Sequence, residues 1–261
     1  AMIMNSNPVF MLDSSTNSEL KRKFLETELR SIPLVSAKGE IVNYRMIQEF
    51  LPLNRNKMAF LIMAGGFGVR MGKLTNNKPK PMLKVKNKPM LQHIVEMAVK
   101  EGFENIFIST HYLANQIHEY FGNGSAFGAK INYIYEEKPL GTGGSFAKIP
   151  IEEGPCLVTN ADIISGVGYS KLVDFHNLHG GVATMAVKQH IIQHPFGVVK
   201  ADGVELLEFE EKPIWKTNIN AGIYVLDTCL KTLIKKNEVI DMPTLITRAS
   251  QMYKSVKVFP L

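Results

Sequence analysis

The sequence predicts an α/β fold in which helices cover both faces of a mostly parallel sheet. The first observation is that short apolar runs alternate with helix-periodic stretches between residues 58 and 181. The second is that runs such as MAFLIM are apolar throughout, as strands buried on both faces are. We interpret MAFLIM, NIFIST, KINYIYEE and CLVTNAD as strands, and PMLQHIVEMAVKEG, ANQIHEYFGNG and YSKLVDFHNLHGG as helices.

The helix assignments depend on spacing and on end signals. In PMLQHIVEMAVKEG a proline stands in the first turn and Gly102 at the stop, and the apolar residues recur every three or four positions. The second half has a different character. VATMAVKQ, FGVVKADGVELLEFEEKP and INAGIYVLD are typical of strands, and a tight turn at Ala201-Asp202-Gly203 predicts a hairpin or meander beside the parallel sheet.

Composition restricts the class of protein. The chain has 261 residues, of which 45% are hydrophobic and 21% charged, so it can bury a globular core in one large domain or two smaller ones. We find no apolar run near the roughly 18 residues of a membrane span and no signal segment, and we therefore expect a cytoplasmic protein. The two cysteines are far apart and without a CxxC partner, which favours packed thiols over a disulfide or a zinc site.

A net charge of +6 favours an anionic partner. Six lysines crowd one short stretch after the glycines, namely Lys73, Lys78, Lys80, Lys84, Lys86 and Lys88. A solvated basic face remains an alternative for most of them. Binding of nucleic acid is disfavoured, because residues 68–92 contain no aromatic side chain on which bases could stack.

The segment FLIMAGGFGVRMGKLTNNKPKPML indicates a phosphate-binding loop. A buried strand that ends in glycines at the carboxyl edge of an α/β sheet lets bare backbone N–H groups approach a phosphate. The dinucleotide pattern GxGxxG fails, since Met71 stands where its last glycine belongs. The P-loop pattern fails as well, because Phe67 and Leu74 stand at its first glycine and its hydroxyl position.

The stretch GGFGVRM followed by KPKPM resembles the signature of the sugar-1-phosphate nucleotidylyltransferases, with Val69 in place of threonine. The physical reason is plain, because nucleotidyl transfer needs rigidly held cations on a triphosphate. Arg70 supplies a planar charged fork, and two prolines restrict the backbone around Lys80. The resemblance implies catalytic roles for Arg70 and Lys80, and nucleotide binding by Ala64, Gly65, Gly66 and Gly68; a basic surface loop is the alternative.

The resemblance continues over most of residues 58–261 and implies a Rossmann-like sheet of the nucleotide-diphospho-sugar transferase type. EEKPLGTGGSFAK matches the family's loop at base and ribose, which implies nucleotide binding by Gly141 and Thr142. LVTNADI matches the strand whose aspartate holds Mg²⁺, which makes Asp162 the metal candidate and Mg²⁺ the cofactor. A turn with a cap, and an aspartate that caps a turn, are the structural alternatives.

Three further segments imply a sugar-phosphate site. HPFGVV matches the family's sugar-contacting glycine at Gly197, EFEEKP its Glu-Lys pair at Glu211 and Lys212, and NINAGIY its asparagine at Asn220. In that match the carboxylate accepts sugar hydroxyls and the ammonium neutralises the sugar phosphate. The wet face of a strand and a bulge glycine beside a turn asparagine are the alternatives.

Residues 1–53 form a separate unit that resembles one CBS motif, with IPLVSAKGEIV at the family's strand, turn and second strand. We predict a β-β-α grouping that includes helix RMIQEFL, and interpret it as half of a pair. A homodimer through this segment is left open. Residues 54–57 are the expected linker and 58–261 the nucleotidylyltransferase domain. We expect that domain to lack the family's C-terminal end, since a second metal aspartate in a Trp-x-Asp-x-Gly segment would follow a strand such as SVKVFPL.

These features lead to one functional hypothesis and two rivals. The hypothesis is transfer of a nucleotidyl group from a nucleoside triphosphate to a sugar 1-phosphate, with release of pyrophosphate. The loop and the CBS motif are most similar to guanylyltransferases, of the glucosamine-1-phosphate type serving legionaminic-acid synthesis or the mannose-1-phosphate type. Thymidylyl, uridylyl or cytidylyl transfer stays open. The rivals are a regulatory module that binds without turnover, and a nucleic-acid binder.

Overall fold

The structure is a computed structural model that describes residues 8–27, 29–47, 55–66, 72, 75–166 and 168–261. The strands are β1 (Met11–Leu12), β2 (Ser31–Val35), β3 (Ile41–Met46), β4 (Ala59–Met63), β5 (Lys84–Val85), β6 (Lys88–Pro89), β7 (Asn105–Thr110), β8 (Lys130–Tyr135), β9 (Pro155–Asn160), β10 (Ala183–Gln193), β11 (Val198–Asp202), β12 (Glu205–Glu210), β13 (Ile214–Asp227) and β14 (Val256–Pro260). The helices are α1 (Asn17–Thr27), α2 (Met90–Lys100), α3 (Ala114–Phe121), α4 (Gly141–Gly144), α5 (Tyr169–His179) and α6 (Met242–Tyr253).

The main sheet of the described residues has the strand order β14-β10-β13-β9-β4-β7-β8. Strands β9, β4, β7 and β8 pair in parallel, and β14 is parallel to β10. Strand β13 is antiparallel to both of its neighbours. The predicted α/β architecture with a mostly parallel sheet is therefore confirmed, with β10 and β13 inside the sheet and not beside it.

Helices cover both faces of this sheet because its strands bury both of their faces. On one face Phe60 of β4 meets the rings of Phe103 and Tyr169 edge-on, at centroid distances of 5.8 and 5.0 Å. Apolar residues of α2, α3 and α5 complete this cluster. On the other face the same strand contributes Leu61, which packs with residues of α6 such as Leu245. No helix in the described ranges is long and apolar enough to cross a membrane.

Helix α6 is absent from the sequence prediction, although its start carries clear signals. Asp241 caps the helix, with its carboxylate accepting the backbone N–H of Thr244 at 2.9 Å, and Pro243 stands in the first turn. Both residues are typical of helix starts. The helix matters for the site because the turn before it lies against the loop at residues 140–144.

The N-terminal unit is a three-stranded sheet in which β1 is parallel and β3 antiparallel to β2, with α1 packed on it. The two predicted strands are present. The predicted helix RMIQEFL is wrong at its start, since Arg45 and Met46 belong to β3, and residues 48–51 lie outside the described ranges. Leu178 of α5 packs against the core of this unit.

The predicted linker is held to the large domain as far as it is described. The Arg55 guanidinium Nη2 donates to both carboxylate oxygens of Asp174 in α5, at 2.9 and 3.1 Å. Helix α5 therefore contacts both the linker and the N-terminal core.

Residues 188–219 form an exposed extension that we call the β-arm. It comprises the outer halves of β10 and β13 together with the hairpin β11–β12. The hairpin confirms the prediction, but its turn falls after Asp202, since Ala201 and Asp202 are strand residues. A register shift between Met185 and Val187 marks where the buried part of the sheet ends.

Candidate functional site

A cavity of about 270 Å³ opens at the carboxyl edge of β4 and β9. Ligands of open α/β sheets bind at this edge, where loops leave the strands. The cavity brings together seven of the residues predicted from the sequence, namely Ala64, Gly65, Gly66, Lys80, Gly141, Thr142 and Asp162. Its other lining residues include Ser109, Glu136 and Asn160.

Backbone hydrogen bonds hold the strand ends together around this cavity. The N–H of Ala64 donates to the carbonyl of Ser109 at 3.1 Å, and the N–H of Ala161 donates to the carbonyl of Met63 at 3.1 Å. The pairing thus continues one residue beyond each strand. The glycines after Ala64 and the aspartate after Ala161 therefore leave the sheet from fixed positions.

Gly65 lies against a buried carboxylate. A Cβ at this position would lie 2.9 Å from Oε1 of Glu136, closer than Cβ atoms are normally found. Glu136 is only 3% exposed, and its Oε2 accepts the backbone N–H of Leu140 at 2.9 Å. Sequence reasoning missed Glu136, although it is the first residue of the quoted EEKPLGTGG loop and directly follows β8.

The loop at residues 140–144 is fastened to the turn before α6. Gly141 has a φ of +76°, and a Cβ there would lie 2.4 Å from the carbonyl oxygen of Ile240, so only glycine fits. The N–H of Gly143 donates to that carbonyl at 2.9 Å, and the N–H of Met242 donates to Oγ1 of Thr142 at 2.8 Å. The Thr142 side chain thereby orders the loop.

An ion pair inside the cavity joins the predicted catalytic lysine to the predicted metal aspartate. Lys80 Nζ lies 2.5 Å from Oδ2 of Asp162, and both side chains are about one third exposed. Lys80 begins a short 3₁₀ turn between buried Pro79 and Pro81, in which the N–H of Met82 donates to the carbonyl of Pro79 at 2.8 Å. The ammonium is thus presented by backbone that two prolines restrict.

A magnesium ion fits the donor set of this cavity. Mg²⁺ takes one or two carboxylates and completes its shell with phosphate oxygens and water. Asp162 offers one carboxylate, and the described chain has no group of three acidic, histidine or cysteine side chains that could hold a metal ion. Oδ1 of Asn160, two residues earlier, is a buried oxygen without a hydrogen-bond partner.

The predicted sugar-site residues lie outside the lining of the cavity. Gly197 and Glu211 are neighbours in the β-arm, where a Cβ on Gly197 would lie 2.9 Å from Oε2 of Glu211. Lys212 follows with a φ of +47°. The side chain of Asn220 accepts the N–H of Gly222 at 2.9 Å and donates to the hydroxyl of Tyr224 at 2.5 Å.

Two predicted residues, Gly68 and Arg70, lie outside the described residues. Their roles stay predictions. The same applies to the individual functions assigned to the residues of the cavity and of the β-arm.

Comparison with known proteins agrees with the fold. A family model described as nucleotidyl transferase matches residues 59–252. The mannose-1-phosphate guanylyltransferase of Mycobacterium tuberculosis is 35% identical over 173 residues, which is 64% of this chain and 48% of that protein. A mannose-1-phosphate guanylyltransferase catalytic subunit beta of Dictyostelium discoideum is 36% identical over 178 residues, 65% of this chain and 50% of that protein.

A relative named for a different nucleotide is also similar to this chain. The UTP–glucose-1-phosphate uridylyltransferase of Synechocystis is 30% identical over 190 residues, 65% of this chain and 49% of that protein. The chain thus spans about half the length of these curated relatives.

Solved structures support the same fold. HddC from Yersinia pseudotuberculosis, in complex with GMP-PN, has a TM-score of 0.59 at 22% identity, covering 78% of this chain and 90% of that chain. The sheet order, the glycine-ended strand and the 59–252 match coincide on the same part of the molecule. The chain therefore belongs to the nucleotidyl transferase family, as the resemblance to sugar-1-phosphate nucleotidylyltransferases predicted.

Proposed function

We propose that this protein transfers guanylyl groups from GTP to a sugar 1-phosphate, releasing pyrophosphate. The observation that carries the proposal is the contact of Lys80 with Asp162 inside the glycine-lined cavity. A lysine and a metal-binding carboxylate at one point are what a reaction at an α-phosphorus needs, because it proceeds by positioning and charge stabilisation. The similarity to named guanylyltransferases supports this reaction class over a module that binds without turnover.

Glu136 supplies the physical argument for guanine. An ionised carboxylate only accepts hydrogen bonds, and the Watson–Crick edge of guanine presents two adjacent donors, N1–H and the N2 amino group. Uracil and thymine present one donor between two acceptor oxygens. A carboxylate repels these acceptor oxygens. The Glu136 carboxylate lies beside Gly65 and is held through Leu140, so it is a fixed acceptor in the wall of the cavity.

The reaction itself needs no covalent intermediate. An oxygen of the sugar phosphate attacks the α-phosphorus, the bond to the β-phosphate oxygen breaks, and pyrophosphate leaves with the electron pair. Lys80, together with Arg70 from the sequence match, would hold the negative charge that develops on the phosphate oxygens. Asp162 would hold Mg²⁺, which supplies further charge neutralisation when bound. In the structure Lys80 donates to Oδ2 of Asp162, so the ammonium and the ion would share this carboxylate or the ammonium would move away when the ion binds.

The sugar side of the proposal belongs to the β-arm. Glu211 would accept sugar hydroxyls, Lys212 would neutralise the sugar phosphate, and Gly197 would lie against the sugar. Glycine allows the ring of Phe209 and the carboxylate of Glu211 to pack closely at position 197. The contact between Gly197 and Glu211 supports this grouping, since the two residues are 14 positions apart in the sequence and adjacent in space. Asn220 stands at the base of the arm.

The N-terminal unit is a separate part of the proposal. We propose that residues 1–53 are one CBS motif that pairs with a second motif and can mediate a homodimer. The support is that β3 exposes Ile41, Val42, Tyr44 and Met46, an apolar set that a partner would cover. Sedimentation velocity of the chain with and without Tyr44→Glu and Met46→Lys tests this; a monomer in both would contradict it.

The test of the main proposal is a pyrophosphate-release assay with Mg²⁺ across GTP, UTP, dTTP, CTP and ATP, each against a set of sugar 1-phosphates. We expect release with GTP, and we expect Glu136→Gln to reduce kcat/KM for GTP about 10- to 100-fold while improving the ratio for UTP. Glu137→Gln, at the next position in the sequence, is the matched control. Release that is indifferent to the base in both variants would contradict the role of Glu136. No release with any pair would contradict the enzyme.

A further inference from the structure

A second cavity, of about 330 Å³, lies behind the loop at residues 140–144. Leu140 and Gly144 line it, whereas Gly141 and Thr142 of the same loop line the first cavity. Four lysines are among the lining residues of this second cavity, namely Lys148, Lys231, Lys235 and Lys236. We call it the lysine cavity. Among the described residues, Glu238 is its one acidic lining residue.

The positive charge of the lysine cavity is not neutralised within the described parts of the chain. Glu238 is already committed, since Arg248 donates to both of its carboxylate oxygens at 2.7 and 3.0 Å. The Arg248 guanidinium, followed by the backbone N–H of Lys235, lowers the pKa of Glu238 to about 2. No described carboxylate forms an ion pair with Lys148, Lys235 or Lys236. Like charges around one space repel each other unless an anion enters.

Lys231 gives the lysine cavity a fixed cation. Its ammonium donates to the carbonyls of Ile149 and Ile151, at 2.6 and 2.5 Å, so two of its three donors are used and its position is set. Burial lowers the pKa of Lys231, and the nearby Cys156 and Glu152 oppose this shift without reversing it. The other three lysines are exposed and free to turn toward a ligand.

We propose that the lysine cavity binds a phosphate-bearing anion with at least two negative charges, at a site separate from the nucleotide cavity. Lysine ammonium groups are point charges that suit the oxygens of a phosphate or diphosphate approached from several sides. One uncommitted donor of Lys231 and the three mobile ammonium groups supply such an arrangement. A bisphosphate ester or free pyrophosphate shares this chemistry.

An anion at this site would act on the nucleotide loop, a consequence that rests on the proposed function. Residues 235–242 and 140–144 are joined by backbone bonds, in which Ile240 N–H donates to Leu140 and Gly143 N–H donates to Ile240, both at 2.9 Å. A Cβ on Gly144 would lie 3.1 Å from the carbonyl oxygen of Glu238, so the two segments are also in close packing. Ordering of the lysine-bearing segment therefore orders the loop, and the affinities of the two sites are linked reciprocally.

The experiment is a titration of the isotope-labelled chain with inorganic pyrophosphate, and separately with fructose 1,6-bisphosphate, without Mg²⁺ and without a sugar 1-phosphate. Amide shifts at residues 234–240 report the lysine cavity, and those at residues 64–66 report the nucleotide cavity. We expect shifts at 234–240, and at least tenfold weaker binding there in Lys235→Gln/Lys236→Gln. The matched control is Lys100→Gln/Lys130→Gln, which removes the same charge from exposed positions and should bind as the parent does.

Each outcome decides the matter. Equal weakening in both double variants would mean a general charge effect, and shifts only at 64–66 would mean binding to the nucleotide cavity alone; either result overturns the proposal. Preference for the bisphosphate over pyrophosphate would identify a phosphorylated metabolite as the ligand, and the reverse would identify the reaction product. Slower hydrogen exchange at the amides of Gly143 and Ile240 on binding tests the coupling. These binding measurements do not require catalytic turnover. Failure of the proposed function can therefore be distinguished from failure of this proposal.

Discussion

The nucleotide cavity and the β-arm carry the two halves of the proposed site, and they are built in different ways. The cavity stands on the ends of strands that are buried throughout, such as β4. The arm presents strands that are exposed along their length, such as β12, whose Leu206, Leu207 and Phe209 are more than half exposed. A site on packed strand ends has its geometry before a ligand arrives, whereas a site on an unpacked arm acquires it on binding.

From this difference we expect the largest loss of activity on substitution of the charged residues of the cavity, Asp162 and Lys80. We expect Asp162→Asn to lower kcat/KM for pyrophosphate release about 10³-fold, because the reaction loses the carboxylate that is to hold the metal. Lys80→Gln should cost about 10²-fold. Asp13→Asn removes the same charge from an exposed position of the N-terminal unit and serves as the control. A loss of less than tenfold for Asp162→Asn would mean that another residue holds the metal.

The next effect concerns stability and compares two glycines with positive φ. Gly141 belongs to the cavity and Gly203 to the arm, with φ values of +76° and +59°. A Cβ on Gly141 would meet the carbonyl oxygen of Ile240 at 2.4 Å, whereas a Cβ on Gly203 meets nothing within 4 Å. We expect Gly141→Ala to lower the free energy of unfolding by about 3 kcal/mol and Gly203→Ala by about 1 kcal/mol. Urea denaturation measures both, and equal costs would show that the backbone conformation alone decides.

The same division explains what could be predicted from the sequence. The strands and helices of the large domain, except α6, follow from apolar runs and periodicity. Seven residues of the cavity follow from three short motifs in which glycine, lysine, proline and aspartate occupy fixed positions. Lys80 and Asp162 are 82 positions apart, yet parallel pairing of β4 with β9 brings their loops to one edge. Motif residues in the loops that follow buried, paired strands therefore lie close together in the structure, even when they are far apart in the sequence.

The parts that could not be predicted depend on contacts between distant segments. Glu136 and Glu137 are adjacent residues of the same type. Burial, the hydrogen bond from the N–H of Leu140 and the approach of Gly65 distinguish Glu136 only in the folded chain. The lysine cavity combines Lys148 with Lys235 through the backbone pairing of two loops, which no periodicity reports. Helix α6 differs from these cases, because the sequence does contain its start signals, Asp241 and Pro243, and they were not used in the prediction.

The β-arm sets the third effect. We expect Glu211→Gln to raise the KM for the sugar 1-phosphate about tenfold, with the KM for GTP nearly unchanged, because one hydrogen-bond acceptor for the sugar weakens. Glu208→Gln on the same hairpin is the matched control, since Glu208 pairs with Lys200 at 2.6 Å and points to no proposed ligand. Steady-state kinetics with each substrate varied in turn measures the split. Equal changes in both KM values would mean that the arm and the cavity act as one body.

The smallest effect distinguishes the two regions by their response to acid. His176 of α5 is buried, with Nδ1 hydrogen-bonded to the hydroxyl of Thr184 at 2.8 Å, and burial lowers its pKa, opposed by Asp227. The unfolded chain, with an ordinary histidine pKa near 6.5, therefore takes up more protons than the folded chain as the pH falls through and below that value. Stability that is present at pH 7.5 should fall on the order of 1 kcal/mol by pH 5.5 from this residue.

His176→Gln removes the titrating group and should remove that part of the loss, as measured by urea denaturation at both pH values. Because His176 joins α5 to the inner end of β10, hydrogen exchange in acid should accelerate first at the amides of residues 172–176 and 183–187. The amides of the β-arm should keep their rates apart from the intrinsic pH dependence, since no buried histidine stands among its described residues. An acid response that begins in the arm would contradict the assignment of this loss of stability to His176.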